Sequence, residues 1–333
     1  MSENLQLFPR DNQAHKRKLR EMMQQLGALL GLVGLCVILT FSSEYFMTMD
    51  NIMNIARQSA INSLVALGML LTILTAGIDL SVGSILALSI VTMGIVVVKL
   101  GMSPIIGIVV CLSIGAFVGL VNGLLLTKMS LPHPFISTMG TQSVARGLAL
   151  IITAASPISN FPKQIQFLGG GFIGPVPISF ILVILVYGIF HIVLNYTTVG
   201  RHIYAVGGNP EATRLSGINI HNVLLFVYTM SGLMAALAGL ILVGRVNSAY
   251  PLAGLAYESD AIAAVIIGGA SFMGGEGTVW GTLIGAMIMA VVRNGLNLLS
   301  VSSEMQTVAI GIVIILAVYV DVLRHKAAKK AKA

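Results

Sequence analysis

The chain is dominated by a succession of apolar runs, most of them close to twenty residues long, separated by short polar or glycine-rich breaks. About 20 apolar residues are what a helix needs to cross the hydrocarbon core of a bilayer. Inside lipid every backbone N–H and C=O has to find its partner within the protein, and a helix achieves this segment by segment. Ten runs qualify: residues 25–44, 60–77, 80–99, 104–126, 134–154, 176–196, 222–244, 258–273, 277–295 and 304–322. Charged residues make up only 9% of the chain, against about 25% in a soluble domain, so a water-facing surface could not be covered. The expected fold class is an all-α integral membrane protein of about ten transmembrane helices. Two places depart from the simple pattern. The eighth and ninth runs are short, with glycine-rich sequence between them, and the fifth contains Arg146, which requires an irregular helix or shelter from lipid.

Charge sets an orientation. Arg10, Lys16, Arg17, Lys18 and Arg20 precede the first run, and Arg324, Lys326, Lys329, Lys330 and Lys332 follow the last. An even number of crossings puts both ends on one side, and the excess of Lys and Arg marks that side as the cytoplasm. Lys128, Arg201 and Arg214 fall there too, giving thirteen basic residues inside, whereas Arg57, Lys99, Lys163 and Arg245 fall outside. The expected division is a basic cytoplasmic tail at 1–24, a membrane domain at 25–322 and a second basic tail at 323–333. The net charge of +7 is accounted for by topology and gives no indication of nucleic acid. The first run reads as an uncleaved anchor, since no small-residue cleavage site closely follows it. Cys36 and Cys111 lie inside apolar runs and read as packed thiols, and neither metal-ligand spacing nor a nucleophile motif is present.

Two segments outside the runs stand out. The outer loop near 155–175 holds Pro157, Pro162 and a run of three glycines, and the inner loop near 197–221 is the most polar stretch away from the ends. Gly115, Gly119 and Gly123 form a ladder at four-residue spacing, as do Gly277, Gly281 and Gly285. Ladders of this kind let helices approach closely in lipid. Asn122-Gly123-Leu124 and Asn294-Gly295-Leu296 hint at a weak internal repeat, a common feature of transporters.

Several polar groups lie where chemistry could be done. Asp79 and Gly83 sit in the sequence GIDLSVGS between the second and third runs. Asp79 either caps the third run, where the helix dipole favours negative charge, or takes a direct part in transport. In the inner loop, Asn209-Pro210 can open a short helix over residues 211–216 that ends at Gly217, with Glu211 in its first turn. That helix is either an amphipathic connector or the place where a motor protein pushes. Glu258 and Asp260 lie at the outer start of the eighth run, where they cap it or meet a ligand or docking protein. Arg146 and Arg293 lie within runs and must find partners or water. Asn122, Ser143, Asn294, Asn297 and Gln306 suit the hydroxyls of a sugar along a path and equally suit hydrogen bonds between helices.

The chain has no glycine-rich phosphate loop for ATP and no string of buried acids and histidines to relay protons. An ion-coupled secondary transporter is therefore the weaker alternative to one driven by a separate engine. At this point a family becomes recognisable. GIDLSVGS at 77–84, the GRHIYAVGGN run at 200–209, EATRLSGIN at 211–219, YESDAIAAVIIGG at 257–269 and NGLNLL at 294–299 together resemble the ribose permease and its relatives in binding-protein-dependent ABC importers. The resemblance extends from about residue 45 to 322. It implies the ten-helix fold shared broadly with the cobalamin importer permease. It also implies a second copy of the permease around a central pathway, an ABC ATPase subunit holding ATP and magnesium, and a soluble sugar-binding protein. This chain itself would carry no cofactor. Gly208, Asn209, Glu211, Ala212, Arg214 and Gly217 correspond to the cytoplasmic loop that engages the ATPase, and Arg57 and Arg245 are candidates for meeting acidic patches on the binding protein. His133 and the outer loop are individual to this chain. Relatives handle several sugars, and an ABC permease for another small polar solute, such as a nucleoside, is the other alternative.

Overall fold

The computed structural model describes the backbone of residues 10–129 and 131–330 and the side chains within 26–129 and 131–323. The basic side chains expected in the two tails lie outside those residues. In chain order the helices are α1 (Arg10–Ser42), α2 (Met49–Leu74), α3 (Val82–Gly94, continued by a π-helical turn Ile95–Lys99), α4 (Pro104–Thr127), α5 (Pro134–Thr153), α6 (Lys163–Gly170), α7 (Ile178–Tyr196), α8 (Thr198–Gly208), α9 (Pro210–Leu215), α10 (Ile220–Val246), α11 (Tyr257–Ile267), α12 (Val279–Leu298) and α13 (Ser303–Lys330). Two short antiparallel pairs complete the set. β1 (Ile158–Ser159) joins β4 (Ser248–Ala249), and β2 (Phe172–Ile173) joins β3 (Val176–Pro177). The β pairs and the α8–α9 segment lie at opposite ends of α7.

Among the described residues eight helices are long and apolar enough to cross a membrane, and α1 adds a shorter apolar stretch, Leu26–Ser42. The chain is an all-α membrane protein, as its composition requires. Helix starts follow the local chemistry. Thr48, Ser103 and Thr278 cap α2, α4 and α12 with their hydroxyls, Asn209 and Asn219 cap α9 and α10, and Pro104, Pro134 and Pro210 each take a first helical position where no N–H is needed. The run expected at 60–77 begins earlier, at Met49. The Thr48 cap and Asp50 in the first turn support helix through residues too polar to read as lipid-soluble. The run expected at 258–273 ends at Ile267. Eleven residues reach only about 16 Å, roughly half a bilayer core, so α11 is half a span.

α2 is the hub. Its residues from Ser59 to Leu74 are all buried, enclosed by α7, α10, α11 and α12, with α8 against its end. The outer helices α4, α5, α7 and α13 instead expose large apolar side chains such as Phe117, Ile151, Leu185 and Ile315, the surface that hydrocarbon requires. Both glycine ladders are helix crossings. A Cβ on Gly119 would overlap the Tyr228 carbonyl oxygen of α10, and one on Gly232 would overlap Gly115 O. Cβ atoms on Gly281 and Gly285 would overlap the carbonyls of Gly268 and Ala264 beside α11. Gly277, counted with the second ladder, is not helical. It lies in the preceding loop at φ +156°.

Candidate functional site

The α8–α9 segment forms a polar face outside the bundle. Asn209 Oδ1 accepts from Ala212 N at 3.0 Å, and Gly217, at φ +80°, ends the turn by donating to Arg214 O. Thr213 alone of α9 is buried, and its hydroxyl donates to Asn209 O. Glu211 and Arg214 form a two-pronged ion pair, Nη2–Oε1 2.6 Å and Nε–Oε2 3.2 Å, about two-thirds exposed on both sides. An exposed pair of this kind adds about 0.2–1 kcal/mol, so it contributes little to stability. It leaves both charges available to a partner. The expected helix, its cap and its glycine stop are all present.

Asp79 occupies the second site. It is completely buried. Its Oδ1 accepts from Ser81 N at 3.0 Å and from the Ser81 hydroxyl, and its Oδ2 accepts from Ser231 Oγ of α10 at 2.8 Å. Ser81 Oγ accepts in turn from Asn122 Nδ2 of α4 at 2.8 Å. Asp79 thus closes the turn leading into α3 without capping the helix itself, which starts after Ser81 with no side-chain cap, and it ties α3, α4 and α10 together. Gly83 lets this turn pass the other irregular segment, since a Cβ there would overlap Gly254 O.

That other segment is residues 247–256, which lead from the end of α10 to the start of α11. A non-helical backbone at this depth must have its carbonyls satisfied by protein. Arg146 of α5 does so, donating through Nη1 to Pro251 O at 2.6 Å and Ala253 O at 2.7 Å. The fifth run stays a regular helix through Arg146, because the guanidinium is used rather than exposed to lipid. Glu258 lies close enough to be attracted by it. Asp260 does not cap α11, whose first turn follows Ala256 without a side-chain cap. Instead it faces Arg293 of α12, with Nε–Oδ2 3.0 Å and Nη2–Oδ1 2.8 Å, and Asn62 of α2 also bonds to it. Away from water a carboxylate gains far more from a guanidinium than from helix N–H groups.

The five path candidates have separate surroundings. Asn122 belongs to the Asp79 cluster. Asn294 exchanges two hydrogen bonds with Asn51 of α2, at 2.7 and 3.0 Å. Gln306 donates to Asn297 Oδ1 and Val301 O across the α12–α13 turn. Ser143 lies exposed on α5, its hydroxyl turned back to Met139 O. At the opposite end of the bundle Arg57 stands 5.2 Å from the centre of the Phe172 ring, and Arg245 donates to Asn54 Oδ1 at 3.1 Å. Sequence reasoning missed Asn62, Ser231 and Tyr204. Asn62 and Ser231 lie in apolar runs and Tyr204 in the polar inner segment, and each takes its meaning from a partner distant in the chain.

Apolar helices with one half-span, irregular backbone held at depth by side chains, and a polar helical face on one side make this a multi-pass membrane protein, and its relatives are permeases. The chain belongs to the family described as branched-chain amino acid transport system / permease component, which matches residues 51–318. It is 46% identical over 302 residues to the ribose import permease protein of Bacillus subtilis (strain 168), covering 90% of this chain and 93% of that one. It is 41% identical over 306 residues to the ribose import permease protein of Escherichia coli (strain K12), covering 90% and 94%. The D-allose transport system permease protein of the same strain is 40% identical over 293 residues, covering 86% and 88%. No solved structure matches the chain.

Proposed function

We propose that this chain is the membrane-spanning subunit of an ATP-driven, binding-protein-dependent importer of a monosaccharide, with ribose or a closely related sugar as its cargo. The observation that carries this reading is the similarity, over nine-tenths of the chain, to permeases named for ribose import. The exposed α9 helix with its Glu211–Arg214 pair supports it as the contact for the ATPase. In this reading two copies flank a central path, and both termini and the α8–α9 face are cytoplasmic in a bacterial inner membrane. A partner ATPase binds ATP and magnesium and moves α9 when its subunits close. A soluble sugar-binding protein docks on the opposite face. The sugar then meets a path of weak contacts, since tight binding would slow its release.

Purification of the tagged chain from native membranes in mild detergent is expected to bring down an ATPase with a phosphate-binding loop. Glu211→Arg, which sets two like charges side by side on α9, is expected to remove it while the permease itself still folds. If no ATPase accompanies the parent chain and uptake follows an ion gradient instead, the importer reading is wrong. On the opposite face, Arg57→Glu or Arg245→Glu is expected to weaken docking of the binding protein about tenfold, mostly through slower association and more so at low salt. Surface-immobilised binding protein and detergent-solubilised permease suffice for that measurement. Unchanged docking by either variant removes that arginine from the interface.

A further inference from the structure

The α8 helix meets the end of α2 and the loop at 268–278 in one place, and that place is built from backbone. A Cβ on Gly207 would overlap the Leu74 carbonyl oxygen at the end of α2 and stand 2.6 Å from Gly275 N. Gly275 N–H donates to that same Leu74 carbonyl at 3.0 Å, filling an acceptor that a helix leaves open at its C-terminus. Gly274 and Gly275 have φ of +85° and +73°, and a Cβ on Gly275 would stand 3.0 Å from Gly208 Cα. Tyr204, one turn earlier on α8, donates its hydroxyl to Gly277 O at 2.8 Å.

The loop held in this way joins α11 to α12. It is closed by its own bonds, Ser271 N to Glu276 O at 2.9 Å and Gly274 N to Ser271 O at 3.1 Å. It is tied to α13 by Phe272 N donating to Asp321 at 3.3 Å. Above it, α11 and α12 touch backbone to backbone at Gly268, Gly281 and Gly285 and are locked by Asp260 and Arg293. No flexible side chain intervenes between α8 and this hairpin at Gly207 and Gly275. Close-packed contacts of that kind pass a displacement on rather than absorb it.

We propose that Tyr204 is a positioning residue for transport. Its bond to Gly277, together with the Gly207–Gly275 contact, makes the 268–278 hairpin a second transmission element, which travels with α8 and carries nucleotide-driven motion into α11 and α12. The inference rests on the importer reading above. It adds that α9 alone does not couple the engine to the membrane helices, and that the half-span is the part driven.

The test uses the complex with its ATPase and binding protein in proteoliposomes. Tyr204→Phe removes one hydroxyl and is expected to cut sugar uptake per ATP hydrolysed about tenfold, the scale of one hydrogen bond, with ATPase binding and basal hydrolysis unchanged. Spin labels at the exposed Leu215 and Met273, with Cys36 and Cys111 first replaced by serine, give a second readout. In the parent chain their separation is expected to stay constant with and without nucleotide, and in Tyr204→Phe to vary with it. Unchanged uptake per ATP overturns the proposal, as does a label distance that already varies in the parent. Loss of ATPase binding in Tyr204→Phe overturns it too, since the residue would then serve docking. Sugar uptake by the parent without any ATPase would instead overturn the importer reading itself.

Discussion

Arg293→Met is expected to destabilise the folded chain by about 3–5 kcal/mol, because it strands a buried carboxylate. Asp260 is 1% exposed, and both of its oxygens are committed to the guanidinium. Removing Arg293 leaves that charge where water cannot reach it, with Asn62 as the remaining donor named above. The double variant Asp260→Leu, Arg293→Met removes the charge with its partner and is expected to recover most of the loss, since apolar replacement of a buried pair is often neutral or stabilising. The chain has one tryptophan, Trp280, and it lies on α12. Its fluorescence during denaturant or thermal unfolding in detergent reports the helix that carries Arg293. A single variant as stable as the parent, or a double variant no better than the single one, would show that the pair does not hold α11 to α12.

Gly119→Val is the second large effect, expected to cost about 3 kcal/mol, the upper end of what overpacking usually costs. The Cβ it adds would meet the Tyr228 carbonyl, which is backbone and cannot rotate away. α4 and α10 would have to separate, and Ser231 and Asn122 would move apart on either side of Asp79. Gly147→Val on α5 is the control, since nothing lies within 4 Å of a Cβ there. The same unfolding measurement should separate the two, and equal losses would mean that α4 and α10 are not held by close approach.

Much of this architecture is legible in the sequence for a physical reason. Lipid imposes a length on each apolar run, so the full spans can be located by counting, and Asn209, Pro210 and Gly217 mark α9 because caps and stops are local events. The half-span is harder to see. Residues 258–273 are as apolar as a short crossing, but a glycine stop ends α11 at Ile267, with Gly269 at φ +92° and Ala270 N donating back to Val265 O, and tertiary contacts fix it there. Gly268 lies against Gly281, and Gly275 reaches back to Leu74. Arg146 and Arg293 announced that they needed partners, but a sequence cannot say that one would find two carbonyls and the other an aspartate. Asn294 and Gln306 suit a path, and the structure gives each a partner on or beside a neighbouring helix. An amide looks the same in a sequence whichever partner it finds.

The half-span also bears on how the protein is made. An eleven-residue segment carrying Glu258 and Asp260 is a poor candidate for insertion by itself, since an aspartate at mid-helix costs the translocon about 2.5–3.5 kcal/mol. Its counter-charge, Arg293, is 33 residues further along the chain and has not reached the membrane when α11 does. α11 is therefore expected to wait at the membrane surface and enter together with α12, as a pair in which Arg293 answers Asp260. A nascent chain halted between the two residues would have its earlier helices in place and this segment still outside. The salt bridge that steadies the finished protein would in that case also set the order in which its last helices are laid into the bilayer.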